Sequence, residues 1–212
     1  DHMKEARKGY FLSGGRVKLK EGVSADFEKA VKLAESRKTD GTCCQVETQT
    51  LEMFQKLQQA ATLKGLYVGI NYAYRSAEAQ RQIYIDFCRA YGREYADAVV
   101  APVGASEHQS GLAIDVAISL DGGKSFFSNK KDELLACPQA MKAFEKLHDM
   151  LDDFGFILRY PEGKEEITGY GFEPWHIRYV GPETARSMRR QNITLEEYCR
   201  QQQLQLHNQL QN

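Results

Sequence analysis

Long hydrophobic runs and any excess of charge are both missing from this 212-residue chain. No segment approaches the roughly 18 consecutive apolar residues of a membrane-spanning helix, and no apolar signal-peptide core follows the first residues. The 28 Lys and Arg residues and the 29 Asp and Glu residues leave a formal net charge of −1. No basic run resembles the positive surface that neutralises nucleic-acid phosphates. We therefore expect no membrane-spanning helix and no nucleic-acid partner.

Cysteine motifs for zinc or redox chemistry are missing as well. The five cysteines include one adjacent pair, Cys43 and Cys44, but none has the C-x-x-C spacing of such sites. We expect scattered thiols; one or two disulfides could form if the protein is exported. The opening Asp1-His2-Met3 resembles the remnant of a cloning site, so an export signal or a membrane anchor could precede this sequence in the natural protein.

The composition predicts one folded domain between two short flanking segments. Hydrophobic residues make up 42% of the chain, and its length can support a core without disulfide or metal staples. Residues 1–20 contain Ser13-Gly14-Gly15 and many basic side chains, so we interpret them as a flexible lead-in. We assign residues 21–200 to a single domain. The glutamine-rich residues 201–212 are expected to fray.

Apolar periodicity and capping residues predict both helices and strands. Helices are expected from Ser24 with Val31 and Ala34 on the apolar face, from about Thr48, after Ser76, from Pro138, and from the capping box of Thr194 and Glu197. Strands are expected at residues 66–72, 112–118 and 175–180. We expect residues 92–111 to be irregular and residues 119–137 to form a polar insertion.

One acidic residue has an unusual place in the second predicted strand. The side-chain period of two puts Leu112, Ile114, Val116 and Ile118 on one face, with Asp115 on the other. The two residues that flank Asp115 on its own face are alanines, Ala113 and Ala117. Small neighbours leave space above the carboxylate, which favours a ligand-binding role for Asp115 over packing.

Two of the five histidines are candidates for a metal site. His2 lies in the opening segment, His148 in a predicted helix and His207 in the tail, which leaves His108 and His176. Two imidazoles and one carboxylate outside helices are a plausible ligand set for a catalytic zinc ion, which keeps a fourth position for water. Glu173 would then be the base, provided that the chain bends at Pro174. From spacing alone, ordinary structural roles for both histidines remain open, since the H-E-x-x-H motif is absent.

Two short strings narrow these alternatives. Residues 106–115 read S-x-H-x-x-G-x-A-x-D, and residues 173–176 read E-x-W-H. These strings resemble the two zinc signatures of the VanY-type D-alanyl-D-alanine carboxypeptidases and the related L,D-carboxypeptidases that trim bacterial peptidoglycan. Residues 74–80 are similar to the Y-R-S-x-x-x-Q turn of the same family. The resemblance extends from about residue 48 to residue 200.

The resemblance implies a fold and a set of site residues. The fold is α+β, a small, mainly antiparallel sheet that carries a zinc site and is surrounded by helices, as in hedgehog and DD-peptidase domains. His108, Asp115 and His176 would bind Zn²⁺, and Glu173 would act as general base. Arg75 would recognise the terminal carboxylate of the substrate at the catalytic centre, with Gln80 and Ser106 as further polar partners in substrate binding.

The same resemblance implies a function outside the cytoplasmic membrane of a bacterium. The expected activity is a zinc-dependent carboxypeptidase that removes the C-terminal D-alanine from peptidoglycan stem peptides. Two alternatives remain: an L,D-carboxypeptidase that converts tetrapeptide into tripeptide stems, and a zinc-stabilised wall-binding module without turnover. An intact Glu173 argues against the last, because binding alone does not need a base.

Two motifs of other enzyme classes fail in detail. Residues 104–108 resemble the nucleophile elbow of serine hydrolases, but His108 stands where the second glycine belongs. Gly123-Lys124-Ser125 resembles the end of a phosphate-binding loop, but Ile118 occupies the position of the required first glycine. We therefore set aside a serine hydrolase and a nucleotide-binding protein.

Overall fold

The structure is a computed structural model that describes residues 31–210, without the side chains of Ala98 and Val99. The predicted lead-in at residues 1–20 and the start of the helix predicted from Ser24 lie outside the described residues. The predicted continuation of that helix through Ala34 is wrong, because Leu33–Arg37 forms strand β1. β1 pairs antiparallel with β2 (Cys43–Glu47), which sets Ala34 opposite Val46 at the edge of the core. Pairing with β2 thus overrides a helical spacing that rested on a few apolar residues.

Four strands form the main sheet: β3 (Tyr67–Tyr72), β4 (Ala113–Ser119), β5 (Phe156–Leu158) and β6 (His176–Tyr179). Their order is β3-β4-β6-β5, and every neighbouring pair is antiparallel. The three strands predicted from the sequence are confirmed, and each of their ends agrees within one residue. In the β4–β6 register Asp115 lies directly opposite His176.

Eight α-helices surround this sheet among the described residues: α1 (Thr48–Leu63), α2 (Ala77–Tyr91), α3 (Arg93–Val99), α4 (Lys131–Leu135), α5 (Pro138–His148), α6 (Glu165–Thr168), α7 (Pro182–Gln191) and α8 (Leu195–Leu210). The predicted starts at Thr48, after Ser76, at Pro138 and after Thr194 are confirmed. The Ser76 hydroxyl accepts a hydrogen bond from the amide of Ala79 at the start of α2. Thr194 and Glu197 form the reciprocal capping box before α8.

Three segments are more regular than expected. Residues 92–111 contain α3 and a 3₁₀ turn at Glu107–Ser110, and the polar insertion at 119–137 contains α4. Helix α8 continues to Leu210, so most of the tail that we expected to fray is helical. Glutamine is a good helix former, and no glycine or proline interrupts the helix after Leu195. All five cysteines are free thiols.

One apolar cluster holds the sheet and helices together. Ile114 and Val116 of β4 belong to the same buried cluster as Phe54 of α1 and Phe144 of α5. Burying such a side chain contributes about 1.5–3 kcal/mol. Asp115, between Ile114 and Val116, points to the opposite face as the alternation predicts. Within residues 31–210 no helix is long and apolar enough to cross a membrane.

Candidate active site

Three buried side chains meet at the centre of the sheet. His108 comes from the 3₁₀ turn, Asp115 from the middle of β4 and His176 from the first position of β6. His108 Nε2 lies 3.5 Å from Asp115 Oδ2, and His176 Nδ1 lies 3.0 Å from Asp115 Oδ1. Their potential ligand atoms all lie within 4.8 Å of one another. The structure therefore brings the three predicted metal ligands together.

A glycine allows the 3₁₀ turn to present His108. Gly111 ends the turn with φ of 70°, and its amide donates to the carbonyl of His108. A Cβ at Gly111 would lie 3.0 Å from the backbone nitrogen of Glu47. Both the left-handed conformation and this close approach require glycine. The G of the S-x-H-x-x-G string is explained by this backbone position.

The second ring nitrogen of His108 has a clear partner. His108 Nδ1 lies 2.8 Å from the carbonyl oxygen of Ala73, to which it donates a hydrogen bond. The lone pair therefore resides on Nε2, the atom that faces Asp115. Histidine ligands of metals are commonly oriented in this way by a carbonyl or carboxylate acceptor.

The donor set fits a zinc ion. Two imidazole nitrogens and one carboxylate oxygen are a common zinc ligand set that leaves a fourth position open. Oδ1 of Asp115 is buried and has no hydrogen-bond partner in the described part of the chain. Burial alone would raise the pKa of Asp115, but His108 and His176 hold it far below its ordinary value. Burial would lower the pKa of His176, yet Asp115 and Glu107 raise it to about 9, so this site favours a positive charge between its acidic groups.

Glu173 reaches the site from a bend in the chain before β6. The amide of His176 donates to the carbonyl of Glu173 at 3.1 Å, which closes a turn around Pro174. Glu173 Oε2 consequently lies 3.7 Å from His176 Nδ1. The bend that the sequence required at Pro174 is present. Burial raises the pKa of the Glu173 carboxyl to about 7, which suits a group that accepts a proton near neutral pH.

A cleft of about 350 Å³ opens beside the three ligands and is lined by Arg75, Gln80, Ser106 and Glu173 as well. Arg75 Nη2 donates to the Ser106 hydroxyl at 3.2 Å, and the Arg75 guanidinium carbon lies 5.0 Å from the centre of the Tyr72 ring. Nε of Arg75 is buried without a hydrogen-bond partner among the described residues. Burial lowers the pKa of Arg75 from its ordinary value. The cleft thus holds a partly desolvated cation with donor capacity to spare.

Gln80 is fully buried on the first turns of α2. Its side-chain nitrogen donates to the carbonyl of Ala101, which fastens the segment before Ser106. Its Oε1 has no hydrogen-bond partner within the described chain. The structure places Gln80 in the cleft wall, while its contact with substrate stays a prediction.

Sequence reasoning missed the residues that support the ligands. Glu107 precedes His108, and its carboxylate, only 9% exposed, lies between Arg159, Arg178 and His176. Burial alone would raise the pKa of Glu107, but the two arginines hold it well below its ordinary value. The only available signal was the position of Glu107 inside the first motif. Nothing in the local pattern pointed to Arg159, which lies more than 40 positions further along the chain.

Comparison with known proteins agrees with this geometry. Residues 44–182 match the VanY family model, described as D-alanyl-D-alanine carboxypeptidase. VanXYC of Enterococcus gallinarum, named as a bifunctional D-Ala-D-Ala dipeptidase and carboxypeptidase, is 40% identical over 59% of this chain and 62% of its own length. A D-alanyl-D-alanine carboxypeptidase of Enterococcus faecalis is 37% identical over 68% of this chain and 52% of its own length. The chain thus spans between half and two thirds of these curated relatives.

Solved structures share the fold. The LdcB LD-carboxypeptidase superposes with a TM-score of 0.64 at 33% identity, over 74% of this chain and 69% of that one. VanYB in complex with D-alanine-D-alanine gives 0.62 at 32% identity, over 81% and 90%. A VanY variant in complex with Zn(II) gives 0.61 at 32% identity, over 81% and 92%. These neighbours confirm the α+β fold class expected from the motifs, and with the family match across residues 44–182 the chain belongs to the VanY family of D-alanyl-D-alanine carboxypeptidases.

Proposed function

We propose that this protein is a zinc-dependent carboxypeptidase that releases the C-terminal D-alanine from peptidoglycan stem peptides. One observation carries the proposal: a buried His-Asp-His group, a carboxylate with a pKa of about 7 and a partly desolvated arginine share one cleft. A zinc-bound VanY structure and a VanYB complex with D-alanine-D-alanine support the cofactor and the substrate class.

His108, Asp115 and His176 would hold the zinc ion through Nε2, a carboxylate oxygen and Nδ1. A zinc ion bound there would activate a water molecule and polarise the carbonyl of the scissile bond. Glu173 would accept the proton of the attacking water and deliver it to the nitrogen of the leaving D-alanine. Its position 3.7 Å from the proposed ligand His176 supports this role.

Arg75 would bind the free carboxylate of the substrate. A planar guanidinium pairs with a carboxylate through two parallel hydrogen bonds, which distinguishes a chain end from an internal peptide bond. The contact with Ser106 leaves other donors of Arg75 available, including the buried Nε. The enzyme would therefore be an exopeptidase, with Ser106 and Gln80 as polar neighbours of the bound terminus.

An L,D-carboxypeptidase is the second candidate. The LdcB LD-carboxypeptidase and an L,D-carboxypeptidase DacB from Streptococcus pneumoniae resemble this chain at 33% and 35% identity, values similar to those of the VanY structures. Both activities use a free C-terminal carboxylate, so Arg75 and Glu173 would serve either one. The two differ in the configuration of the residue before the scissile bond. Either substrate would place the enzyme outside the cytoplasmic membrane, where peptidoglycan lies.

Product analysis separates these activities. Purified zinc-loaded protein is incubated with pentapeptide and tetrapeptide stems, and the products are measured by mass spectrometry. We expect loss of one D-alanine from the pentapeptide, with the Glu173→Gln variant as the inactive control. Cleavage of the tetrapeptide alone would assign the L,D activity. No cleavage of either stem by zinc-loaded protein would overturn the proposal and favour a binding module.

A further inference from the structure

We propose that Glu107 is a positioning residue for His176: its carboxylate accepts the Nε2–H of the ring and so leaves Nδ1 free to bind metal. This inference rests on the proposed function and deepens it, because it names what orients one of the three proposed ligands.

Two buried polar atoms face each other without other partners. Oε2 of Glu107 lies 3.7 Å from Nε2 of His176, and both atoms lack a hydrogen-bond partner within the described residues. An unsatisfied buried polar group costs about 1–3 kcal/mol. Shortening this distance to the usual value of about 2.9 Å would satisfy both atoms at once. The facing pair thus accounts for two buried groups that nothing else in the site explains.

The orientation of the His176 ring agrees with this arrangement. Nδ1 points to the metal side, 3.0 Å from Asp115 Oδ1, while Nε2 points away from it to Glu107. A neutral imidazole that offers a lone pair at Nδ1 must carry its proton at Nε2. A carboxylate beside Nε2 stabilises that tautomer. Such carboxylate–histidine pairs are common behind metal ligands.

The carboxylate of Glu107 is itself fixed. Its Oε1 accepts from Arg159 Nε at 2.7 Å and lies 3.3 Å from Arg178 Nη1. Arg159 is anchored in turn by two hydrogen bonds to Glu196 of α8, at 2.6 and 3.1 Å. Because Oε1 is engaged by two guanidinium groups, Oε2 is the oxygen that remains for His176.

Because the two oxygens of Glu107 have different partners, the Glu107→Gln substitution tests the proposed pairing with His176. A carboxamide has one acceptor oxygen, and the two arginines would hold that oxygen on their side. The NH₂ group would then face His176 Nε2 and favour a lone pair there, with the ring proton on Nδ1. That tautomer opposes metal binding through Nδ1. We expect the zinc affinity of the variant to fall roughly 10–100-fold.

The test measures metal binding and the ring proton directly, without substrate. Zinc affinity is determined by competition with a chelator, and the ¹H–¹⁵N spectrum of zinc-loaded protein reports the Nε2–H of His176. We expect this proton to show the low-field shift and slow solvent exchange of a hydrogen bond to carboxylate. Glu107→Gln should abolish both features. Glu196→Gln is the matched control, because it removes one carboxylate charge from Arg159 and keeps the carboxylate of Glu107 beside His176; it should retain both the resonance and near-normal affinity.

Thermal unfolding of each variant separates stability from metal binding. If Glu107→Gln does not fold, Glu107→Asp is used to test the inference. This variant keeps a carboxylate and should preserve the Nε2–H resonance. Three results would overturn the inference. The first is equal zinc affinity in wild type and Glu107→Gln, and the second is an equal loss of zinc affinity in Glu107→Gln and Glu196→Gln. The third is a missing Nε2–H resonance in a folded Glu107→Asp variant. Failure of the wild type to bind zinc would instead overturn the proposed function.

Discussion

His148 and Pro174 are 26 residues apart in sequence, yet the Nε2–H of His148 donates a 2.8 Å hydrogen bond to the carbonyl oxygen of Pro174. His148 is the last residue of α5, and Pro174 is the centre of the bend between Glu173 and His176. The contact therefore ties the bend that carries the proposed base to a helix packed in the core. It gives this half-buried helical histidine a structural role.

The His148 contact predicts a dependence of stability on pH. Burial lowers the pKa of His148 below its ordinary value of 6.5, although the Pro174 carbonyl and the nearby Asp149 and Glu145 oppose this. Below pH 6.5 the unfolded chain takes up a proton that the folded protein does not, so stability should fall as the pH decreases, by at most about 1.4 kcal/mol per pH unit from this group. This dependence is measured by denaturant unfolding of wild type and His148→Gln between about pH 7.5 and about pH 5.5, roughly one unit either side of the ordinary histidine pKa.

Glutamine keeps a donor for the Pro174 carbonyl but does not titrate. The difference in free energy of unfolding between the two proteins should therefore change with pH, whereas contributions from other groups cancel. Parallel curves would show that the pKa of His148 is the same in the folded and unfolded chains.

Zinc content tests the proposed ligands. Wild-type protein is expected to bind one zinc ion per chain, and His176→Ala is expected to lose most of it, since only two of the three proposed ligands remain. Elemental analysis after dialysis against a weak chelator gives the ratio. His207→Ala, on the exposed part of α8, is the matched control and should retain zinc. Equal zinc content in wild type and His176→Ala would show that the ligand assignment is wrong.

Substitution of Glu173 by glutamine separates proton transfer from metal binding. The amide keeps the shape of the side chain but cannot accept the proton of water, so hydrolysis should fall by at least about a hundredfold. Zinc content should stay unchanged, because Glu173 is not a proposed ligand. Glu162→Gln, which alters an exposed glutamate, serves as control. Substantial residual turnover in Glu173→Gln would mean that another group activates water.

The proposed recognition of the free terminus by Arg75 predicts a preference for acids over amides. Amidation of the peptide C-terminus should lower kcat/KM by an amount equivalent to roughly 2–4 kcal/mol of transition-state stabilisation. The cause is the loss of charged hydrogen bonds and an unpaired guanidinium. Arg75→Lys should also be impaired, because an ammonium group retains the charge but loses the two-pronged geometry. Arg81→Lys on the exposed side of α2 should be neutral. Equal cleavage of acid and amide, or preference for an internal bond, would identify an endopeptidase instead.

The turn that presents His108 predicts a stability difference between two glycines. Gly111 and Gly163 both have positive φ, of 70° and 75°, but only Gly111 has backbone within contact of an added Cβ. Alanine at Gly163 should cost about 1 kcal/mol from the backbone conformation alone, and alanine at Gly111 should cost more because of the clash. Thermal unfolding of the two variants gives the comparison. Equal losses would show that the turn relaxes around the new methyl group.

Local patterns in the sequence were enough for much of the scaffold. The capping residues Ser76 and Thr194 mark the starts of α2 and α8, and strict alternation in residues 112–118 separates the core face of β4 from Asp115. These features depend on neighbours a few residues away, so they can be read without knowing the fold. The motif residues likewise identified the side chains that meet in the cleft.

Contacts between distant segments were decided by the tertiary structure. The β4–β6 register puts Asp115 opposite His176, and no periodicity within either strand encodes that pairing. Strand β1 forms because β2 is available as a partner, despite a helical spacing that extends to Ala34. The sequence by itself thus determined which side chains meet in the cleft and which local elements hold them. Only the folded chain decided the orientation of His176, since the carboxylate of Glu107 that faces it is held by arginines from β6 and from the segment after β5.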